Sequence, residues 1–197
     1  MTAIREELRR RLAAAPGSPP HPVLGETEAA VLVPLYLRDE ELHAVFTKRR
    51  EDLRRHPGEI SFPGGRRDHP DEELATTALR EAEEEIGLSA ATVELLGTLA
   101  PVRTFVTGYV IYPHVGAIEP IPWKPSPNEV ELVIELPLHA LRDGYAVRPI
   151  ERRGFTFETD TYVVEDHLIW GATARILGDL LERLGPLAER RRPQDRS

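Results

Sequence analysis

The chain has 197 residues, enough for one domain with a sizeable core and short appendages, and 41% of them are hydrophobic. A formal net charge of -8 argues against binding nucleic acid over a broad surface, which needs a basic face, but not against a small anion held by local arginines. Cysteine is absent, which excludes disulfides, thiolate catalysis and zinc–thiolate centres and suits a reducing compartment.

From the N-terminus, Ile4, Leu8 and Leu12 recur at helical spacing and predict a short amphipathic helix ending before Pro16; GSPPHP then reads as a stiff linker. This segment carries acid and base throughout and has no apolar core of a signal peptide. No apolar run approaches the roughly 20 residues that span a bilayer, so a cytoplasmic protein with no membrane partner is expected. AAVLVPLYL (29–37) and LHAVFTK (42–48) predict two strands of a hairpin turning between Arg38 and Glu41. An irregular stretch follows, rich in arginine, proline and glycine, with Arg49, Arg50, Arg54, Arg55, Arg66 and Arg67.

Asp71 is placed to cap a helix that runs to Ile86, with Glu72 and Glu73 in its first turn, Gly87 as its stop, and Leu74, Ala78, Ala82 and Ile86 as its buried stripe. Further strands are expected at 92–100, 109–118 and 129–136, the last after a proline-rich loop, EPIPWKPSPN (119–128), that suits neither regular element. FTFETDTYVV (155–164) and EDHLIW (165–170) suggest another antiparallel pair, and ATARILGDLLERL (172–184) a closing amphipathic helix. The expected layout is an N-terminal helix and linker at 1–25, a catalytic domain at 26–186, and a mobile arginine-rich tail at 187–197. Interspersed strands and helices imply an α/β fold, a mixed sheet with helices on both faces.

The end of the acidic helix carries the chemistry. Glu81, Glu84 and Glu85 stand at i, i+3 and i+4 and project from one face, where like charges repel by about 0.2–0.5 kcal/mol per pair. They also crowd the last turns, where the helix dipole disfavours negative charge. A hard divalent cation reverses that balance, because magnesium takes oxygen ligands and is shared between one or two carboxylates and a substrate phosphate.

Arg80-Glu81-Ala82-Glu83-Glu84-Glu85-Ile86-Gly87-Leu88 resembles the second half of the Nudix hydrolase signature, with seven residues between Glu72 and Arg80. Six residues rather than five separate Gly65 from Glu72, a departure in the turn and not at the metal end. VFTKRREDLRRHPGEISFPGG (45–65) resembles the additional motif of the coenzyme A diphosphatase branch, through Thr47, Arg49, Arg54, Gly58 and Phe62-Pro63-Gly64-Gly65; Arg50 stands where that branch carries Ser or Ala. The resemblance implies a Nudix-type α/β/α sandwich with a mixed β-sheet. It also implies Mg2+ or Mn2+ held by Glu81, Glu84 and Glu85 with the Gly65 carbonyl, and substrate contacts at Arg49, Arg54, Gly58, Phe62, Gly64 and Arg67. Arg80 is expected to clamp a helix carboxylate, and Glu84, Glu129 and Glu119 compete as general base. The implied reaction is hydrolysis of the diphosphate of coenzyme A or acyl-coenzyme A. Hydrolysis of another nucleoside diphosphate derivative, such as ADP-ribose or a dinucleotide, and a non-catalytic ligand-sensing domain stand as alternatives, and the N-terminal helix offers a homodimer contact.

Overall fold

The computed structural model describes residues 2–13, 27–53, 57–69, 72–104, 108–152 and 154–189. In chain order its elements are α1 (Thr2–Leu12), β1 (Thr27–Arg38), β2 (Glu41–Arg49), β3 (Ile60–Ser61), β4 (Gly64–Arg66), α2 (Leu74–Ile86), β5 (Glu94–Thr98), β6 (Val102–Arg103) and β7 (Tyr109–Ala117). β8 (Val130–Pro137), α3 (Leu138–Asp143), β9 (Tyr145–Arg152), β10 (Phe155–Val164), β11 (His167–Trp170) and α4 (Gly171–Leu184) follow. The predicted linker lies outside the described residues.

β1 and β2 form the expected hairpin, joined by Asp39 and Glu40 at φ 50° and 64°, the left-handed pair that a two-residue hairpin loop of matching twist requires. β1 is also the centre of an eight-stranded sheet ordered β3-β2-β1-β7-β5, with β4 on β1, β6 on β7 and β8 on β2. Its pairing with β7 is parallel and the other pairings are antiparallel, so the sheet is mixed. Along one edge β1 changes neighbours: Val31 pairs with Gly64 of β4, and Leu35 with Ala44 of β2. Pro34, which has no N–H to give a ladder, sits at that fork.

Alternate residues of β1 serve two cores. Val31, Val33 and Leu35 pack with α1 and α4, whereas Ala30, Leu32 and Tyr36 pack with Ala78, Ala82 and Ile86 of α2. Both faces of the strand are therefore covered, and β1 reads as a nearly continuous apolar run. The N-terminal helix belongs to this sandwich, since Leu8 and Leu12 are each 2% exposed, and Arg5 and Arg9 pair with Glu94 at the start of β5. The closing helix buries Ile176, Leu177, Leu180, Leu181 and Leu184, and the 3-10 turn after it takes Ala188 into the core, so the packed segment runs past residue 186.

Three local expectations change. Glu73, extended and making no side-chain bond, precedes α2, so Glu72 and Glu73 lie before its first turn; Asp71 is outside the described residues. The carboxylate of Glu72 instead accepts from Arg80 Nε and from the Asp68 N–H, each at 3.3 Å. The strand expected at 92–100 is only Glu94–Thr98, because a 3-10 turn occupies Ala90–Thr92 and the register shifts between Leu95 and Gly97. The pair β10–β11 forms as expected, but β9 joins it to make a separate three-stranded sheet, and α3 leads into that sheet.

Candidate active site

The acidic end of α2 is positioned from three directions. Its buried stripe seats it on β1, and Gly87, at φ 72° in the left-handed region, ends it and donates its N–H to Glu83 O at 3.0 Å. From the sheet side, β4 is fixed by its pairing with β1 and brings Gly64 and Gly65 against the helix. From beyond the helix, the loop 119–128 donates from Lys124 N–H to the Ile86 carbonyl at 3.0 Å and from Ser126 N–H to the Glu85 carbonyl at 2.8 Å. Two carbonyls of the last helical turn thus receive partners, and the loop is tied to the helix.

Glu85 is the most buried carboxylate described, 5% exposed. Burial pushes its pKa up from 4.5 to about 8; the Gly64 N–H, 3.3 Å from Oε2, and the Arg49 guanidinium, 3.8 Å from Oε1, oppose that rise, and Glu81 and Glu129 add to it. Glu81 is also raised by burial, against the pull of Arg80. Gly65 lies flat on the Glu81 carboxylate, and a Cβ built there would come within 2.5 Å of Oε1. Gly64, at φ 158°, leaves no room for a side chain either, because its Cβ would stand 2.6 Å from the Val31 Cα. The two glycines bring backbone, and nothing bulkier, to the carboxylates.

Arg80 gathers the outer acids. Its guanidinium donates to Glu81 at 2.9 Å, Glu72 at 3.3 Å, Glu84 at 3.4 Å and the Arg66 carbonyl at 3.3 Å, and approaches Asp68 at 3.5 Å. Burial alone would lower its pKa, but the bonds to Glu81 and Glu72 outweigh that and raise it. One arginine therefore offsets four carboxylates, while Glu85 has a single amide and a distant Arg49. That shortage of positive charge around a buried carboxylate, with a carbonyl-bearing glycine turn facing it, fits a divalent cation bound through oxygen.

The remaining site candidates divide. Alternation along β2 puts Arg49 on the α2 face, where its guanidinium stands 3.8 Å from Glu85 and 3.7 Å from Glu129. Glu129, with its side chain 51% exposed, sits at the mouth of the site where the proline-rich loop enters β8. Glu119, at the other end of that loop, is taken by Arg5 of α1 at 2.6 Å, and so is turned to the N-terminal helix. Phe62 is not at the site: it is 2% exposed and stacks on Phe46 at 4.6 Å in the opposite core. Arg67 pairs with Glu28 on β1. Gly58 lines a cleft of about 660 Å³ together with Lys48, Ile60, Leu132, Arg152 and Trp170, and Lys48 points away from the face that carries Arg49. Arg54 lies outside the described residues. Sequence reading passed over Asp68 and Glu28, and nothing in their local pattern marks them; only the folded position of Arg80 and Arg67 gives them a role.

Among the described residues no helix is long and apolar enough to cross a membrane. A family model of the NUDIX domain matches residues 26–153. The uncharacterized Nudix hydrolase NudL of Salmonella paratyphi B is 40% identical over 168 residues, spanning 84% of this chain and 86% of its own length, and NudL of Salmonella newport matches to the same extent. Among solved structures, a MutT/nudix family protein of Enterococcus faecalis aligns over 91% of this chain and 73% of its own with a TM-score of 0.57 at 15% identity. The Nudix hydrolase RenU of M. smegmatis aligns over 61% and 76% with a TM-score of 0.51 at 21% identity. At such identities the structural likeness speaks to the fold alone, and that fold is the mixed sheet between helices described above. With the domain match, the 40% identity and the α2 carboxylates against their glycine turn, the chain belongs to the Nudix hydrolases.

Proposed function

We propose that this Nudix hydrolase cleaves the diphosphate bond of coenzyme A or an acyl-coenzyme A, giving adenosine 3',5'-bisphosphate and 4'-phosphopantetheine or its acyl form. The observation that carries the reading is the position of Arg49. It belongs to the 45–65 segment that resembles the coenzyme A diphosphatase motif, and its guanidinium faces Glu85 and Glu129.

A diphosphate bridging two organic groups resists hydrolysis because its charge repels nucleophiles and its leaving group departs as a phosphate anion. Glu81 and Glu85, with Glu84 beside them and the Gly65 carbonyl, are the groups that would hold Mg2+ or Mn2+. When bound, the cation neutralises phosphate oxygens and lowers the pKa of water. Arg49 adds a fixed positive charge for the same oxygens. Arg80 keeps Glu81 oriented and does not face the substrate, since its donors are committed to Glu72, Glu81, Glu84 and the Arg66 carbonyl. Glu129, at the mouth and free of Arg80, takes the proton from the water that attacks phosphorus, with Glu84 as its competitor. One P–O bond forms and the bridging P–O bond breaks, leaving two phosphate monoesters.

Incubation with coenzyme A, Mg2+ or Mn2+ and 18O-water, followed by mass spectrometry, tests this. The expected result is both products, with one 18O in one of them. Intact coenzyme A and acyl-coenzyme A under all metals and pH values, beside turnover of ADP-ribose or a dinucleotide in the same preparation, would overturn the substrate assignment.

A further inference from the structure

We infer that Arg50 is a positioning residue for Glu129, holding the proline-rich loop to the turn after β2; the catalytic part of this inference rests on the reading of Glu129 as general base. The loop 119–128 contains Pro120, Pro122, Pro125 and Pro127, none of which has an N–H to donate. Four prolines leave it few amides to bond with, and among the described residues its own backbone bonds lie at its end, where the Glu129 and Val130 N–H groups donate to the Ser126 carbonyl at 3.2 Å and 2.9 Å. Its middle is held by the bonds of Lys124 and Ser126 to the end of α2 and by the Trp123 indole, which donates to Glu135 at 2.8 Å. Through Ser126 this anchoring reaches the amides of Glu129 and Val130, but it leaves the Pro127 and Glu129 carbonyls to other donors.

Arg50 supplies them. Its Nε and NH2 donate to the two carboxylate oxygens of Asp52 at 2.8 Å and 2.7 Å, a bidentate pair that fixes the plane of the guanidinium. NH1 is then aimed at the Pro127 carbonyl, to which it donates at 2.7 Å. The backbone N–H of Arg50 donates to the Glu129 carbonyl at 3.1 Å. Side chain and main chain of one residue thus bracket Pro127–Glu129, and the next residue, Val130, is already paired with Arg49 in the sheet. The Glu129 carboxylate is left 3.7 Å from Arg49, on the side of Glu85. Three of the five N–H groups of the Arg50 guanidinium are turned to Asp52 and Pro127, which fixes its part as a hold on the loop.

The test compares Arg50→Ala, Arg50→Lys, Glu129→Gln and the double variant Arg50→Ala/Glu129→Gln, reading kcat, KM and backbone hydrogen exchange over residues 126–130. Arg50→Ala is expected to lower kcat by about tenfold or more with KM little changed, since a misplaced group costs up to about a hundredfold. Amide exchange across 126–130 should quicken in the same variant and stay at its wild-type rate in Glu129→Gln. In the Glu129→Gln background the Arg50→Ala change should have no further effect on kcat. Arg50→Lys, unable to make the fork with Asp52, should recover little. A raised KM with unchanged kcat in Arg50→Ala, multiplying effects in the double variant, or unchanged exchange at 126–130 would each overturn the inference. If Glu129→Gln alone leaves kcat intact while Arg50→Ala still loosens the loop, the base assignment falls and the structural hold by Arg50 stands.

Discussion

Replacing Glu85 by Gln should abolish turnover and yet make the metal-free protein more stable. Glu85 is 5% exposed and its pKa is pushed up to about 8, against 4.5 for the ordinary side chain. Between those values the folded chain keeps a proton that the unfolded chain has lost, so folding is favoured at low pH and loses that advantage as pH rises from 4.5 through about 8. The gap corresponds to about 5 kcal/mol as an upper limit for the ionised form in the folded state, and relaxation of the site reduces it to about half. Gln is neutral throughout and its carbonyl can accept the same Gly64 N–H. Near pH 8 with a chelator present, the variant should therefore melt about 5–10 °C above wild type. The margin should shrink towards about pH 5, where wild-type Glu85 is itself protonated. Added Mg2+ should raise the melting temperature of wild type and leave the variant unmoved. Calorimetric or fluorimetric melting at three pH values, with chelator and with Mg2+, checks this. A variant no more stable than wild type near pH 8 without metal, or a margin indifferent to pH, refutes the reasoning.

Gly65→Ala should leave the fold intact and weaken Mg2+ binding about 10–100-fold, because its Cβ would meet the Glu81 carboxylate; calorimetric titration with the metal reads it. Arg80→Ala removes the guanidinium that faces Glu72, Glu81, Glu84 and Asp68, and should cut kcat by about a hundredfold; Arg80→Lys should recover only part, as one ammonium cannot span four acids, and steady-state kinetics decide. Leu8→Ala should cost about 2–5 kcal/mol in urea unfolding if α1 is part of the core, and a loss under about 1 kcal/mol would make that helix an ornament.

The acidic helix was legible because its two signals coincide: an apolar stripe at 74, 78, 82 and 86, and a glycine that alone suits the left-handed stop. The hairpin was legible from two apolar runs around a short polar gap. β9 was not, because YAVRPIER carries a proline and charges, and its sheet leaves Tyr145, Val147, Phe155 and Phe157 exposed, so no buried face imposed an alternation. At the site, residue type picked out Glu81, Glu84 and Glu85 at once, but the sorting of the rest depended on which way each strand and loop faces. Phe62, read as a ligand contact in FPGG, packs on Phe46, and Glu119, read as a rival base, pairs with α1. A chain read in one dimension shows the 45–65 segment as a single motif; the pleat of β2 sends Arg49 to one face of the sheet and Lys48 to the other.

The fork at Pro34 has a bearing on how the protein folds. β1 pairs locally with residues 41–44, then with 64–66, and along nine positions with residues 109–117, so its neighbours come from three distant parts of the chain. Gly64 reaches Glu85 only after β4 has zipped onto β1, and the parallel partner must travel roughly eighty residues to close the sheet. The cation-binding carboxylates thus meet their glycine turn only once β4 has docked on β1, a less local step than closing the β1–β2 hairpin. A divalent ion added to a refolding chain should leave the early, hairpin-forming rate untouched and act once β4 is in place, making metal capture a reporter of that docking.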